Sequence, residues 1–116
     1  MSDLTALLQQ LKENPNTVEF KQVIDLIHTY YDYHPSEFSN GDTVNAAGTN
    51  EGSAKIFAFA NLHSLTPLQT LACFGHYYRV DVLEHPEASD HQNIRNFISH
   101  GWDGIRFSQP ILTAKA

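Results

Sequence analysis

The chain has a single cysteine, Cys73, so no internal disulfide can form and stability must come from packing. Sparse cysteine also fits a reducing compartment. Basic residues are few: 7 Lys and Arg stand against 13 Asp and Glu, a formal charge of −6. Nucleic-acid binding depends on clustered cations that neutralise phosphates, and this chain has no such cluster. Anionic membrane surfaces repel it for the same reason. No apolar run approaches the ~20 residues needed to span a bilayer. The opening Met-Ser-Asp-Leu offers neither a basic n-region nor an apolar h-region of a Sec-type signal peptide. There is no Gly-x-Ser-x-Gly elbow, which argues against a serine hydrolase of that type. Internal repeats and low-complexity tracts are missing too. Together these absences predict a soluble, cytoplasmic monomer that binds neither nucleic acid nor membrane and needs no cofactor.

What is present is an ordinary globular composition: 116 residues, 41% apolar and 17% charged, enough for one domain with its own core. The most apolar stretch runs from Lys55 to Tyr78. Ile56, Phe59, Ala60 and His63 stand at i, i+3, i+4 and i+7, and Leu68, Leu71, Ala72 and Gly75 repeat the spacing. Phe57, Leu62, Phe74, Tyr77 and Tyr78 lie off those stripes. Helices apolar most of the way round are buried, so these two should form the centre.

Around them the sequence predicts three amphipathic helices. Leu4, Leu7, Leu8 and Leu11 stripe a first helix, with Ser2 or Asp3 as cap and Asn14-Pro15 as its end. It reads as a surface helix docked by its leucines; an exposed helix awaiting a partner is the alternative. Asn16 and Glu19 suggest a capping box for a second helix bearing Phe20, Val23, Ile24 and Ile27. Ser89-Asp-His-Gln92 suggests another for a last helix bearing Ile94, Phe97 and Ile98, with Gly101 as its stop. Thr66-Pro-Leu-Gln69 is a full capping box with proline at the first helical position. Between Tyr33 and Gly48 the helical period vanishes. Asn40-Gly41, between Tyr33–Phe38 and Thr43–Asn45, signals a short irregular hairpin, with a plain loop as the alternative. Arg79 to Leu83 alternates too briefly to assign, and Ile105–Phe107 can add a third short strand. The fold class is therefore α+β, predominantly α-helical, with about five helices and a short hairpin. The layout is a leucine-striped helix over 3–13, a body over 16–107 and a frayed tail over 108–116.

Chemistry-bearing residues are scattered. Seven histidines are present, but no two stand four apart, the spacing of a helical metal pair. Glu87 and His91 do, but Pro86 places Glu87 before its helix. His85, Asp90 and His91 could assemble a metal site from loops; no metal is expected. Cys73 and His76 share a helix face, but Cys73 lies among Leu71, Ala72 and Phe74, where a thiol is a buried small hydrophobe. Gly48, Gly52 and Lys55 lack phosphate-loop spacing, and Glu51 would repel an anion there.

Polar residues gather at two helix starts, Asn45, Thr49, Asn50 and Glu51 before one and Asp90, His91, Asn93 and Arg95 around the other. Capping alone explains such residues. If the two starts converge on His63, a cleft with a carboxylate, an imidazole and a guanidinium results. In that case Asn50, Glu51, Asp90, His91, Asn93 and Arg95 would bind a small molecule or protein partner, with Glu51 facing Arg95. His63 and His91 are the candidate acid–base groups of a rival, enzymatic reading.

Several of these segments recur together in one family. Asn45-Ala-Ala-Gly-Thr-Asn-Glu-Gly-Ser53, Lys55-Ile-Phe-Ala-Phe-Ala60, Thr70-Leu-Ala-Cys-Phe-Gly75, Tyr77-Tyr-Arg79, Asp90-His-Gln-Asn-Ile-Arg-Asn-Phe97 and Gly101-Trp102 resemble the HopJ family of type III effector-like proteins, from about Tyr33 to Phe107. The resemblance implies a small bacterial domain with no established substrate or catalytic residues. The family is named for a protein delivered into plant cells by a bacterial secretion machine, so it also implies a third reading, a secreted effector that binds a host protein. Such effectors begin with a flexible, Ser-rich segment, whereas this chain opens on a leucine-striped helix. Where the family often carries cysteine this chain has Ala54, which removes any scheme of paired thiols.

Overall fold

The structure, a computed structural model, describes residues 3–115. It is α+β and mostly helical. Five α-helices run in order: α1 Asp3–Glu13, α2 Phe20–Tyr30, α3 Glu51–Leu62, α4 Pro67–Ala72 and α5 Gln92–His100. The expected Ser2 cap lies outside the described residues. Five three-residue strands are β1 Tyr31–Tyr33, β2 Phe38–Asn40, β3 Thr43–Asn45, β4 Ile105–Phe107 and β5 Leu112–Ala114.

α3 is the axis of the core. Residues 56 to 60 are buried on every side, as an all-round apolar helix must be. Phe57 sits at the hub. Its ring lies 6.1 Å from Phe38, 5.4 Å from Phe74, 5.1 Å from Phe97 and 6.5 Å from Trp102. The hairpin, the segment after α4, α5 and the turn after α5 thus meet at one side chain. Trp102 settles its polar edge by donating Nε1–H to the Leu65 carbonyl at 3.0 Å. Helix α1 docks through Leu7 and Leu11, both buried, with Leu4 and Leu8 packed beside them.

Capping follows the sequence at one helix and departs from it at two. Thr66 Oγ1 accepts from Gln69 N at 3.1 Å, and Gln69 Oε1 accepts from Thr66 N at 3.0 Å. Residues Pro15–Thr17 instead form a 3₁₀ turn, and the capping box of α2 is Glu19 with Gln22. Helix α5 begins two residues later than a Ser89 cap would place it, with His91 as an N-cap in the left-handed region at φ 51°. Gly101 closes α5 at φ 58°, as its sequence position suggests.

The second central helix is shorter than its periodicity implies. It ends at Ala72, and Gly75 turns the chain at φ +57°. A Cβ on Gly75 would lie 2.7 Å from the backbone nitrogen of Phe20, so both the turn and the close approach of α2 require glycine. Leu68, assigned to the buried stripe, is exposed in the first turn of α4, while Leu71 and Ala72 of the same stripe are buried. The chain then resumes as a π-helical turn, Tyr77–Val82, where the sequence alternates.

The hairpin exists, with a different division of labour. Gly41 and Asp42 form the turn, with Gly41 at φ 62°. Asn40, expected in the turn, is a fully buried strand residue paired with Thr43. Strand β2 is central in a sheet of order β3-β2-β4, with Phe38 opposite both Asn45 and Phe107. The span from Tyr33 to Phe38 is not one strand. At its start only Tyr33 is in a strand, β1, which pairs antiparallel with β5, Tyr31 opposite Ala114 and Tyr33 opposite Leu112. The tail expected to fray from residue 108 therefore carries a paired strand, and Ile111 and Leu112 are buried.

Candidate functional site

The starts of α3 and α5 do converge. Between them lies a cleft of ≈ 440 Å³ lined by Phe20, Asn50, Gly52, Ser53, Phe74, Tyr77, His91, Gln92, Asn93 and Ile94. One wall is the first turn of α3 and the facing wall the first turn of α5. Phe20 from α2, with Phe74 and Tyr77 from the segment after α4, form the apolar side. Phe20 and Tyr77 meet edge to face, 5.1 Å between ring centres.

Glycine keeps the cleft open at Gly52, where a Cβ would come within 2.9 Å of the tip of the Phe20 ring. Both N-caps, Asn50 at φ 50° and His91 at φ 51°, are left-handed and make no side-chain cap bond. Left-handed backbone is costly for residues with a Cβ and persists where surrounding contacts hold it. The first amides of each helix have no intrahelical acceptor; in α5 bonding starts with Ile94 N to His91 O at 3.0 Å.

Those contacts come from buried asparagines. Asn93 Oδ1 accepts from Asn40 Nδ2 and Asn45 Nδ2, each at 3.1 Å, and Asn93 Nδ2 donates to Asn45 Oδ1 at 3.1 Å. Asn50 Nδ2 donates to the same Asn45 oxygen at 2.7 Å, and Asn40 Nδ2 reaches the Asn93 carbonyl at 2.7 Å. The network ties the hairpin to both helix starts, so the cleft has a rigid floor. Asn50 makes no side-chain cap bond to its own helix and instead donates through Nδ2 to Asn45. Asn40 Oδ1 is buried with no hydrogen-bond partner among the described residues.

Of the residues the sequence singled out, Asn50, His91 and Asn93 line the cleft, while Glu51, Asp90 and Arg95 do not. The expected Glu51–Arg95 pairing is replaced by separate partners. The Glu51 carboxylate instead acts on Tyr33: burial first, then hydrogen bonding and charge from Glu51, push the Tyr33 hydroxyl up to about 12. Arg95 Nη2 binds Asp90 Oδ1 at 2.7 Å, and its other donors go to the carbonyls of Asp90, His85 and Asp81. The guanidinium thus clamps the loop leading into α5. Its hydrogen bond to Asp90 holds that carboxyl below the usual range.

His63 is not the point of convergence. It is the half-buried C-cap of α3, bonded through Nε2 to the Tyr31 hydroxyl and packed 4.7 Å from the Phe59 ring. Burial lowers its pKa. Cys73 is fully buried and its thiol is pushed up to about 12 by desolvation, the inert setting its neighbours imply. Among the described residues no group of three or more His, Cys, Asp or Glu side chains is placed to hold a metal ion.

Sequence reasoning missed Phe20, Gly52, Ser53, Phe74, Tyr77 and Asp81 as cleft or near-cleft residues. Asp81, on the π-helical turn, accepts from His91 Nε2 at 3.1 Å and lies 3.5 Å from His76 Nε2. Nothing in the alternation around Asp81 marks it, because the π-helical turn sets its direction. Chemically the cleft offers aromatic walls, unpaired backbone amides, the Ser53 hydroxyl and one carboxylate-held imidazole. That combination is typical of small-molecule sites.

A family model described as "HopJ type III effector protein" matches residues 4–112, so the likeness reaches the N-terminal helix and the tail strand. A solved structure described as "Crystal structure of unknown function protein VPA0580" has a TM-score of 0.96 and 50% identity, covering 99% of this chain and 95% of that chain. No curated protein matches the chain. No helix among the described residues is long and apolar enough to cross a membrane.

Proposed function

The chain belongs to the HopJ type III effector protein family, and from that premise we propose that it is a small-molecule-binding domain whose working surface is the cleft between the starts of α3 and α5. One observation carries the reading. Two uncapped helix starts, both left-handed at the N-cap, face one cleft with aromatic walls and a floor of interlocked asparagines. Capping alone would use Asn50 on its own helix; here its side chain is spent on Asn45. The cleft suits a compact ligand with a planar body against Phe20 and Tyr77 and a hydrogen-bond-accepting group at the amides of Gly52 and Ser53. Asn50, His91 and Asn93 keep their assigned binding roles in this reading. Glu51, Asp90 and Arg95 become supports outside it. The domain works as a monomer in the cytoplasm, on a ligand the cell itself supplies.

The test is an amide chemical-shift titration against a panel of planar acids, nucleobases and aromatic amines. Binding should move Gly52, Ser53, Tyr77 and Gln92 together, and Gly52→Leu, which fills the opening, should abolish the shifts. A panel that moves only residues elsewhere, at millimolar concentration, refutes the cleft. If instead a host-protein extract broadens these resonances while the panel leaves them unmoved, the effector reading replaces it.

A further inference from the structure

Asp81 is a carboxylate that ligand binding alone does not call for. It stands behind the cleft wall, and Tyr77 from the same π-helical turn packs 5.3 Å from the His91 ring. A neutral imidazole carries one N–H. With the Nε2 hydrogen given to Asp81 at 3.1 Å, the His91 lone pair is on Nδ1. No described residue bonds to Nδ1. Two carboxylates face the His91 ring. Asp81 touches it and Asp90 Oδ2 lies 3.8 Å away; His76 lies on the far oxygen of Asp81, and Arg95 is held by Asp90. An imidazole fixed by a carboxylate on one nitrogen and open on the other is the arrangement of a general base. The unpaired amides of Gln92 and Asn93 begin one residue further on.

We propose that the cleft carries an acid–base centre in which His91 is the catalytic base, Asp81 its positioning residue, and the start of α5 the donor to a developing oxyanion. This rests on the cleft being a small-molecule site. The substrate class is a small ester whose alcohol portion is planar and aromatic, matching the Phe20–Tyr77 side. His91 Nδ1 takes a proton from water as the water oxygen bonds to the ester carbonyl carbon. The carbonyl electron pair moves to its oxygen, next to the backbone amides. As that pair returns, the bond to the alkoxide breaks, and the alkoxide takes the proton from His91. The products are a carboxylic acid and an alcohol, with water as the only co-reactant.

The probe is p-nitrophenyl acetate, with p-nitrophenol release followed on the full chain. We expect His91→Gln to lower kcat/KM by roughly 100-fold or more, the usual range for a lost acid–base group. His28→Gln should leave the rate unchanged, which separates His91 from an exposed imidazole outside the cleft. Asp81→Asn should lower kcat with KM held and move the pH–rate inflection to lower pH, an effect a purely structural role would not produce. Melting curves confirm that each variant folds; if Asp81→Asn does not, His91→Gln alone decides. A His91→Gln rate within about threefold of the unmodified chain overturns the proposal. A parallel shift titration with p-nitrophenol separates the two readings. Shifts at Gly52 and Tyr77 with no His91 dependence of hydrolysis leave a binding site without catalysis. Neither shifts nor hydrolysis removes both.

Discussion

Replacing Asn93 by alanine tests the physical claim on which the cleft rests. Asn93 is 6% exposed, so its side chain cannot exchange protein bonds for water. The substitution removes bonds from Asn40 Nδ2 and Asn45 Nδ2 and the bond to Asn45 Oδ1, each 3.1 Å long. None of the partners becomes wholly orphaned. Asn40 Nδ2 keeps the Asn93 carbonyl at 2.7 Å, Asn45 Nδ2 keeps the Phe38 carbonyl at 3.4 Å, and Asn45 Oδ1 keeps Asn50 Nδ2 at 2.7 Å. The loss is therefore near the net worth of these bonds, about 1 kcal/mol each, rather than the larger cost of stranded groups. Alanine returns about 0.5 kcal/mol through helix propensity. The expected change is about 2–3 kcal/mol, or a fall in Tm of about 10 °C for a domain of this size. Urea denaturation followed by circular dichroism measures it. A double-mutant cycle with Asn45→Ala adds a sharper check, because the two asparagines exchange bonds in both directions. Their coupling should be about 1–2 kcal/mol. Additive single effects, or a loss below about 0.5 kcal/mol, would show that the asparagines are not a network.

Three further outcomes follow from the same geometry. Gly75→Ala should cost about 2–4 kcal/mol, since the new Cβ must adopt a left-handed backbone and meets the Phe20 nitrogen; a variant as stable as the parent in thermal melts refutes the close approach. Cys73 should resist thiol reagents in the native state and react only on unfolding, with Cys73→Ala costing about 1 kcal/mol; rapid native labelling would contradict its burial. His63 has a folded pKa below its unfolded value, so the unfolded chain binds the extra proton and stability declines as pH falls below about 6.5. His63→Gln should flatten that part of the stability–pH curve, and an unchanged slope would assign the effect to another histidine.

What the sequence determined by itself is the helical content and much of the core. Helical signals are local, and each repeats over several turns. Ile56 to Ala60 are apolar on every face, so α3 had to be buried wherever its neighbours lay. Thr66 with Gln69, and Gly101 after α5, act within a few residues and form as their chemistry requires. The gathering of polar residues at the starts of α3 and α5 was likewise visible before any fold was known. Their partners were not. Asn40 reads as a turn residue, yet its backbone completes β2 and its amide meets Asn93, 53 positions away. Glu51 and Arg95 read as a pair, but each is satisfied by a nearer group. Three-residue strands hold too little pattern to announce themselves, so the pairing of β1 with β5 across the length of the chain was settled only in three dimensions. The need for glycine at position 75, after the break at Ala72, came from outside that helix, where the backbone at the start of α2 leaves no room for a Cβ. Tertiary packing therefore chose which polar groups face the cleft, because a side chain's direction there depends on elements that the local sequence does not contain.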